Sequence, residues 1–236
     1  MRIDKFLTTT GKATRREAAI AARAGQILVD GEVCRRVDLH IDPEKNVVHF
    51  RGEEIAYRRF TYIMLNKPDG YISATTDPRT RTVLDLLPPE LKRIRLFPCG
   101  RLDKDTVGLL ILTNNGQLAH RLLSPRHHVE KEYRFTLASA ISEEEAAKIE
   151  EGLVLDDGYL TKPSKILLQQ DRCSGTITIT EGKFHQIKRM FRAVGKKVVF
   201  LERICFAGIF LDSALDRGEW RYLTAEEIAH LEAFLR

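Results

Sequence analysis

Apolar and polar positions alternate along this chain with two different periods, and each period marks out its own elements. In Glu132-Tyr-Arg-Phe-Thr-Leu137 every second residue is apolar, which places Tyr133, Phe135 and Leu137 on the inner face of a strand; Thr176-Ile-Thr-Ile-Thr180 repeats the arrangement. Of two continuous apolar runs, Phe60–Leu65 and Gly108–Thr113, the second reads as a buried strand. The first run ends at Asn66-Lys-Pro-Asp-Gly70, where Pro68 and Gly70 fix a turn. Helical spacing appears over 142–151, 185–194 and 224–235, with Ser142 and Thr224 as N-caps of the outer two. Asn114-Asn-Gly116 opens a further helix, with Leu118, Leu122 and Leu123 on one face.

The N-terminal segment is organised differently. A short apolar turn, Arg2–Leu7, breaks at Thr10-Gly11, and Thr14 with Glu17 three residues later forms a capping-box signature for a second helix. Ala18, Ala19, Ala21, Ala22 and Ala24 favour that helix but give it little bulk, so it must lie close to its neighbours, with Arg15, Arg16 and Arg23 outward. Gly25 stops it, and Ile27–Val33 folds about Asp30-Gly31, a strong hairpin-turn dipeptide. Helix, helix and hairpin make a compact unit over 1–56. Tyr57-Arg-Arg59 reads as part of a linker, 57–60, and a second domain follows over 61–236. Because its strands and helices intermix without a regular β-α-β beat, an α+β fold is expected there.

The chain's 236 residues suffice for two such domains. Its most apolar stretches, such as Gly108–Leu112, fall far short of the roughly 20 residues that a spanning helix needs, and the N-terminus lacks the order of a secretion signal. Cys34, Cys99, Cys173 and Cys205 are too sparse for a disulfide framework and too far apart for a C-x-x-C site. Four reduced thiols in the cytoplasm and no membrane association are therefore expected; the sequence does not fix an oligomeric state, and a monomer is the default expectation.

Net charge is only +5, but its distribution is uneven. Residues 1–36 carry eight Lys/Arg against four acids, residues 182–203 carry seven against Glu202 alone, and the last 33 residues are net acidic. Two separate basic stretches suit contact with one extended polyanion, although solvated faces would produce the same counts.

Candidate chemistry centres on Gly100-Arg-Leu-Asp-Lys-Asp-Thr-Val-Gly108, where glycines bracket two carboxylates and two cations just before a buried strand. A charge beside a buried strand must be paired or in use. Asp103 and Asp105 are two residues apart and lie too close together for a glycosidase pair, which needs roughly 5 Å or more between carboxyls; Asp105 is read as a turn residue. His127, His128 and His185 lack the acidic or thiol companions of a metal site and are expected in packing or polyanion contact. Trp220, the only tryptophan, is expected in the core.

Taken in order, these segments resemble known families. R-x-D-K-F-L at the start, T-R-R-E-A at 14–18 and G-x-I-x-V-D-G-x-V at 25–33 resemble the S4-type RNA-binding domain. G-R-L-D-x-D-T-x-G-L, L-T-N-x-G-x-L-A-H-R-L, S-P-R-H-H-x-E-K-x-Y, L-T-K-P and E-G-K-F-H-Q-I-K-R-M-F, with N-K-P-D-G ahead of them, are similar to the RsuA-type pseudouridine synthases from end to end. The resemblance implies a small S4-like α/β domain, then a mixed, mainly antiparallel sheet that isomerises uridine to pseudouridine without metal or other cofactor. The implied partner is 16S ribosomal RNA or a partly assembled small subunit, and the implied target is uridine 516.

The same resemblance makes Asp103 the essential carboxylate, Lys188 its ion-pair partner and Tyr133 the ring against the extruded base. It places Arg101, His185, Gln186 and Ile187 around the substrate. It further implies RNA contacts from Arg2, Lys5, Arg15, Arg16, Arg23, Arg35, Arg36, Lys67, Arg126, Lys183 and Arg189. A non-catalytic assembly factor, a synthase of another RNA site, or an enzyme that hydrolyses the nucleoside bond remain alternatives on sequence alone.

Overall fold

The structure is a computed structural model and describes residues 1–235. The chain forms two compact units, Met1–Thr61 with Leu87–Leu96, and Tyr62–Leu86 with Phe97–Arg236.

In the first unit, α1 (Ile3–Thr9) and α2 (Arg15–Arg23) precede a four-stranded antiparallel sheet. Its strands are β1 (Ile27–Val29), β2 (Glu32–Val33), β3 (Val48–Phe50) and β4 (Glu53–Glu54), in spatial order β2-β1-β3-β4. The capping box at Thr14 and Glu17 is present, each side chain closing on the other's backbone N–H. Ala18, Ala21 and Ala22 are buried with Ile3, Phe6, Leu7, Ile27 and Val48, so the small residues of α2 do lie close to their neighbours. Tyr57 stacks on Phe6 with ring centroids 5.7 Å apart, so the aromatic at the head of the expected linker packs on α1. The segment Leu87–Leu96, with its short helix α3 (Pro89–Lys92), joins this unit although its chain position lies well past residue 61. Gly11 shows how closely it approaches: φ is +72°, and a Cβ there would stand 2.5 Å from the Glu90 carbonyl oxygen.

The second unit is built on a nine-stranded sheet. Its strands are β5 (Tyr62–Lys67), β6 (Phe97–Pro98), β7 (Val107–Thr113), β8 (Lys131–Leu137), β9 (Lys165–Leu168), β10 (Ser174–Ile179), β11 (Val198–Phe206), β12 (Ile209–Phe210) and β13 (Trp220–Tyr222). They lie in the order β13-β5-β7-β11-β8-β10-β9, with β6 beside β7 and β12 beside β11; among the described residues only the neighbours β7 and β11 pair in parallel. Every residue of β5 and β7 is buried, whereas β8 and β10 bury alternate residues, as their sequence periods predict.

Four helices accompany the sheet: α4 (Gly116–Leu123), α5 (Glu143–Glu151), α6 (Gln186–Ala193) and α7 (Ala225–Glu232). Ser142 and Thr224 cap α5 and α7 with complete capping boxes. One face was expected differently: Leu118 and Leu122 are buried, but Leu123 is 40% exposed. Trp220 is half-buried, its ring edge-on to Tyr222 on the sheet's outer strand β13 rather than in the core. All four cysteines carry free thiols, and among the described residues no helix is long and apolar enough to cross a membrane.

Candidate active site

The loop between β6 and β7 carries Asp103, and its conformation is fixed at several points. Gly100 (φ +89°) and Gly108 (φ +97°) hold its two ends in the left-handed region open to glycine. Gly108 has a second constraint, because a Cβ there would meet the Arg203 carbonyl oxygen at 2.3 Å where β7 begins to pair with β11. Between them, Ser73 Oγ donates to the Leu102 carbonyl and accepts from the Leu102 N–H, both at 3.0 Å.

Lys67 completes the clamp. Expected at an RNA surface, it is instead fully buried, and its Nζ donates to the carbonyls of Thr106 (2.8 Å), Lys104 (3.1 Å) and Pro68 (3.1 Å). Burial pushes its pKa down to about 8 against the pull of Asp69, Asp105 and Asp103. The apolar run before Lys67 put a cation at the end of a central strand, where it can reach only backbone carbonyls.

Lys188 approaches the loop from the first turn of α6. Its Nζ lies 2.9 Å from Asp103 Oδ2 and 2.6 Å from Asp105 Oδ1, so it bridges both carboxylates. Asp105 is thus more than the turn residue expected. Burial opposes its ionisation, yet the hydrogen bond and charge of Lys188 hold its carboxyl below the ordinary range; the same contacts outweigh burial at Lys188 and raise the ammonium's pKa. His185, in a left-handed conformation at the N-cap of α6, brings Nε2 to 3.6 Å from Asp103 Oδ1 and stacks on exposed Phe184 with centroids 3.8 Å apart.

A cleft forms over this cluster. Arg101, Asp103, Tyr133, His185, Ile187 and Lys188 line it together, as do Lys183 and Gln186. The sequence-selected catalytic trio and its neighbours therefore meet in one place. Gln186 contributes differently from the expectation. It is 4% exposed, its amide nitrogen donates to Glu181 and its oxygen accepts from the Lys183 N–H, so it braces the loop before α6.

The basic stretch 182–203 is largely consumed by the fold. Lys188 occupies the site, Lys196 pairs with Glu145, Arg203 is buried, and Arg189 binds Asp156 and Asp157. Arg189 was expected on RNA, but carboxylates distant in sequence claim its guanidinium. Lys183, Arg192 and Lys197 remain exposed, as does Arg126. In the first unit Arg2, Lys5, Arg15, Arg16, Arg23, Arg35 and Arg36 are all exposed. Arg2 pairs with Asp4 and Arg36 with Asp38, while Arg35 donates to the Arg23 carbonyl. Among the described residues no group of three or more His, Cys, Asp or Glu is gathered as a metal site would need.

A glycine-bracketed loop whose two carboxylates are ion-paired to a helix lysine beside a strand tyrosine thus sits on a mixed sheet that follows an S4-like unit. Comparison with known proteins gives this arrangement its class. The RNA pseudouridylate synthase family matches residues 61–193 and the S4 domain family matches residues 1–47. The chain belongs to the RNA pseudouridylate synthase family and carries an N-terminal S4 domain.

Within that family it is 48% identical over 231 residues to the uncharacterized RNA pseudouridine synthase YtzG of Bacillus subtilis, with 97% of each chain covered. It is 42% identical to the ribosomal small subunit pseudouridine synthase A of Yersinia pestis, covering 99% of both chains, and equally identical to that of Escherichia coli K12, covering 97% of this chain and 99% of that one. A solved pseudouridylate synthase structure, 37% identical, superposes with a TM-score of 0.69 over 98% of this chain and 99% of its own.

Proposed function

We propose that this RNA pseudouridine synthase acts on 16S ribosomal RNA during small-subunit assembly, converting uridine 516 with Asp103 as the essential carboxylate. The observation that carries the reading is the Asp103 carboxylate in an open cleft, 2.9 Å from the Lys188 ammonium and lined with Tyr133. Relatives with the small-subunit name match nearly the whole chain, which supports the choice of RNA.

The reaction breaks the bond from ribose C1′ to ring N1, turns the uracil and forms a bond from C1′ to C5, with the C5 proton leaving and N1 gaining one. It is an isomerisation with no net electron transfer. Its start needs an ionised carboxylate, whether that group attacks C1′ or removes a proton to begin elimination. The Lys188 ammonium pairs with that group at 2.9 Å, on the wall of the cleft that a base would enter. Tyr133 offers a ring face for the uracil. A uridine in structured RNA must leave its stack to bring its glycosidic bond to Asp103, so the enzyme flips it out.

Tritium release tests the substrate choice. Small-subunit rRNA or partly assembled small subunits carrying 5-tritiated uridine should release tritium with the full chain, while large-subunit rRNA should not. Release from large-subunit rRNA alone would overturn the assignment, and release of free uracil would replace isomerisation with hydrolysis.

A further inference from the structure

Beside the cleft lies a second recess that the chemistry above does not use. The two share Arg101, Tyr133, Gly182 and Lys183, and the wall of the recess contains two buried cations, Lys131 and Arg203. Lys131 precedes Tyr133 by two residues on β8 and so shares its face, while Arg203 stands directly across from Tyr133 on β11. The tyrosine is thus flanked by positive charge along its own strand and across the sheet.

Among the described residues, neither cation has a carboxylate within ion-pair distance. Arg203 is 1% exposed; its Nε donates to the Leu109 carbonyl at 2.8 Å, and its Nη2 is buried with no acceptor. Lys131 is 9% exposed and gives one hydrogen bond, to the Val129 carbonyl at 2.8 Å. Burial and the nearby Arg203 charge push its pKa down to about 8. Lys162 and Lys183 also line the recess. Its carboxylate, Glu181, is already occupied, accepting from the Tyr159 hydroxyl, the Lys162 N–H and the Gln186 amide. Two buried cations without an anion are costly to keep, and an arginine with an unused buried N–H edge is shaped for an oxyanion. The enclosed carboxylate nearest to hand, Glu181, draws on Lys131 but, among the described residues, forms no ion pair with either cation.

We infer that the Lys131–Arg203 recess is a phosphate subsite that takes a backbone phosphodiester adjoining the flipped uridine. The inference rests on the reading that the cleft receives that uridine. A phosphate held here would fix the sugar beside Asp103 and neutralise the buried charge when RNA arrives, so part of the site's electrostatic balance is delivered by the substrate itself.

The test uses the full chain with uridine, uridine 5′-monophosphate, inorganic phosphate and a short RNA containing the target. Uridine 5′-monophosphate should bind at least about tenfold more tightly than uridine. That advantage should fall below about threefold in Lys131→Gln, with thermal unfolding confirming an intact fold; Arg203→Gln should act alike if it folds. A neutral methylphosphonate at one linkage beside the target should raise the KM of the RNA about tenfold, while the same change two linkages away leaves it unaltered. Equal affinity for uridine and its monophosphate, an advantage undiminished in Lys131→Gln, or indifference to both methylphosphonates with inorganic phosphate alone binding would each overturn the subsite. Tritium release by the wild type is read separately, so the subsite can fail while the synthase assignment stands.

Discussion

Lys67 is wholly enclosed, and its three hydrogen bonds go to the carbonyls that shape the Asp103 loop. Lys67→Met removes those bonds and leaves buried acceptors unsatisfied, which should cost about 2–4 kcal/mol and loosen the loop. A pH effect follows. The folded-state pKa of about 8 lies below the ordinary 10.5, so between those values the unfolded chain binds more protons and stability rises with pH. Below pH 8 both states keep the proton, and above 10.5 both have shed it. Urea unfolding from pH 7 to 10 should therefore show the wild type gaining on Lys67→Met above pH 8, by up to ~1.4 kcal/mol per unit. A constant gap across that range would mean that Lys67 is not desolvated. Charge in a sequence does not announce whether it will be solvated: Lys67 and Arg189 read as RNA contacts, and the fold spends one on carbonyls and the other on Asp156 and Asp157. Asp103, Lys188 and Tyr133 were legible because ordered motifs marked them. Asp105 was undervalued because its partnership with Lys188 spans 83 positions.

Among the elements, the junction of β7 with β11 bears most directly on the site. Gly108 there has both a left-handed backbone and a backbone neighbour that leaves no room for a Cβ. Gly108→Ala should cost on the order of 3 kcal/mol in urea unfolding, since strain and overpacking each contribute about 1–3 kcal/mol. Gly70 also has positive φ but nothing within 4 Å of a Cβ, and Gly70→Ala should cost about 1 kcal/mol. Equal losses would show that the close approach is not a constraint. Strand periods, capping boxes and the Asp30-Gly31 hairpin were legible because each is set within a few residues. The parallel pairing of β7 with β11, the outer strand β13 and the recruitment of 87–96 to the N-terminal unit were not, because such contacts join segments tens of residues apart.

At the scale of the whole molecule, the two basic stretches of the sequence prove unlike. Much of 182–203 turns inward to ion pairs and to the site, whereas the cations of the S4 unit stay exposed. We propose that sequence-independent grip on RNA falls chiefly to the S4 unit, with the exposed Arg15 and Arg16 as contributors. Arg15→Ala with Arg16→Ala should weaken RNA binding at moderate salt. The double change should also flatten the dependence of log K on log salt by about 0.7–0.9 for each phosphate that the protein no longer neutralises. An unchanged slope would place the RNA on another surface.

The central claim is that Asp103, held by Lys188, performs the isomerisation, and it is tested most directly by tritium release set beside RNA binding in one pair of variants. Asp103→Asn should bind small-subunit rRNA about as well as the wild type yet release no tritium. Lys188→Met should lose at least about 100-fold in turnover with binding little changed. Tritium release by Asp103→Asn at the wild-type rate would contradict the account.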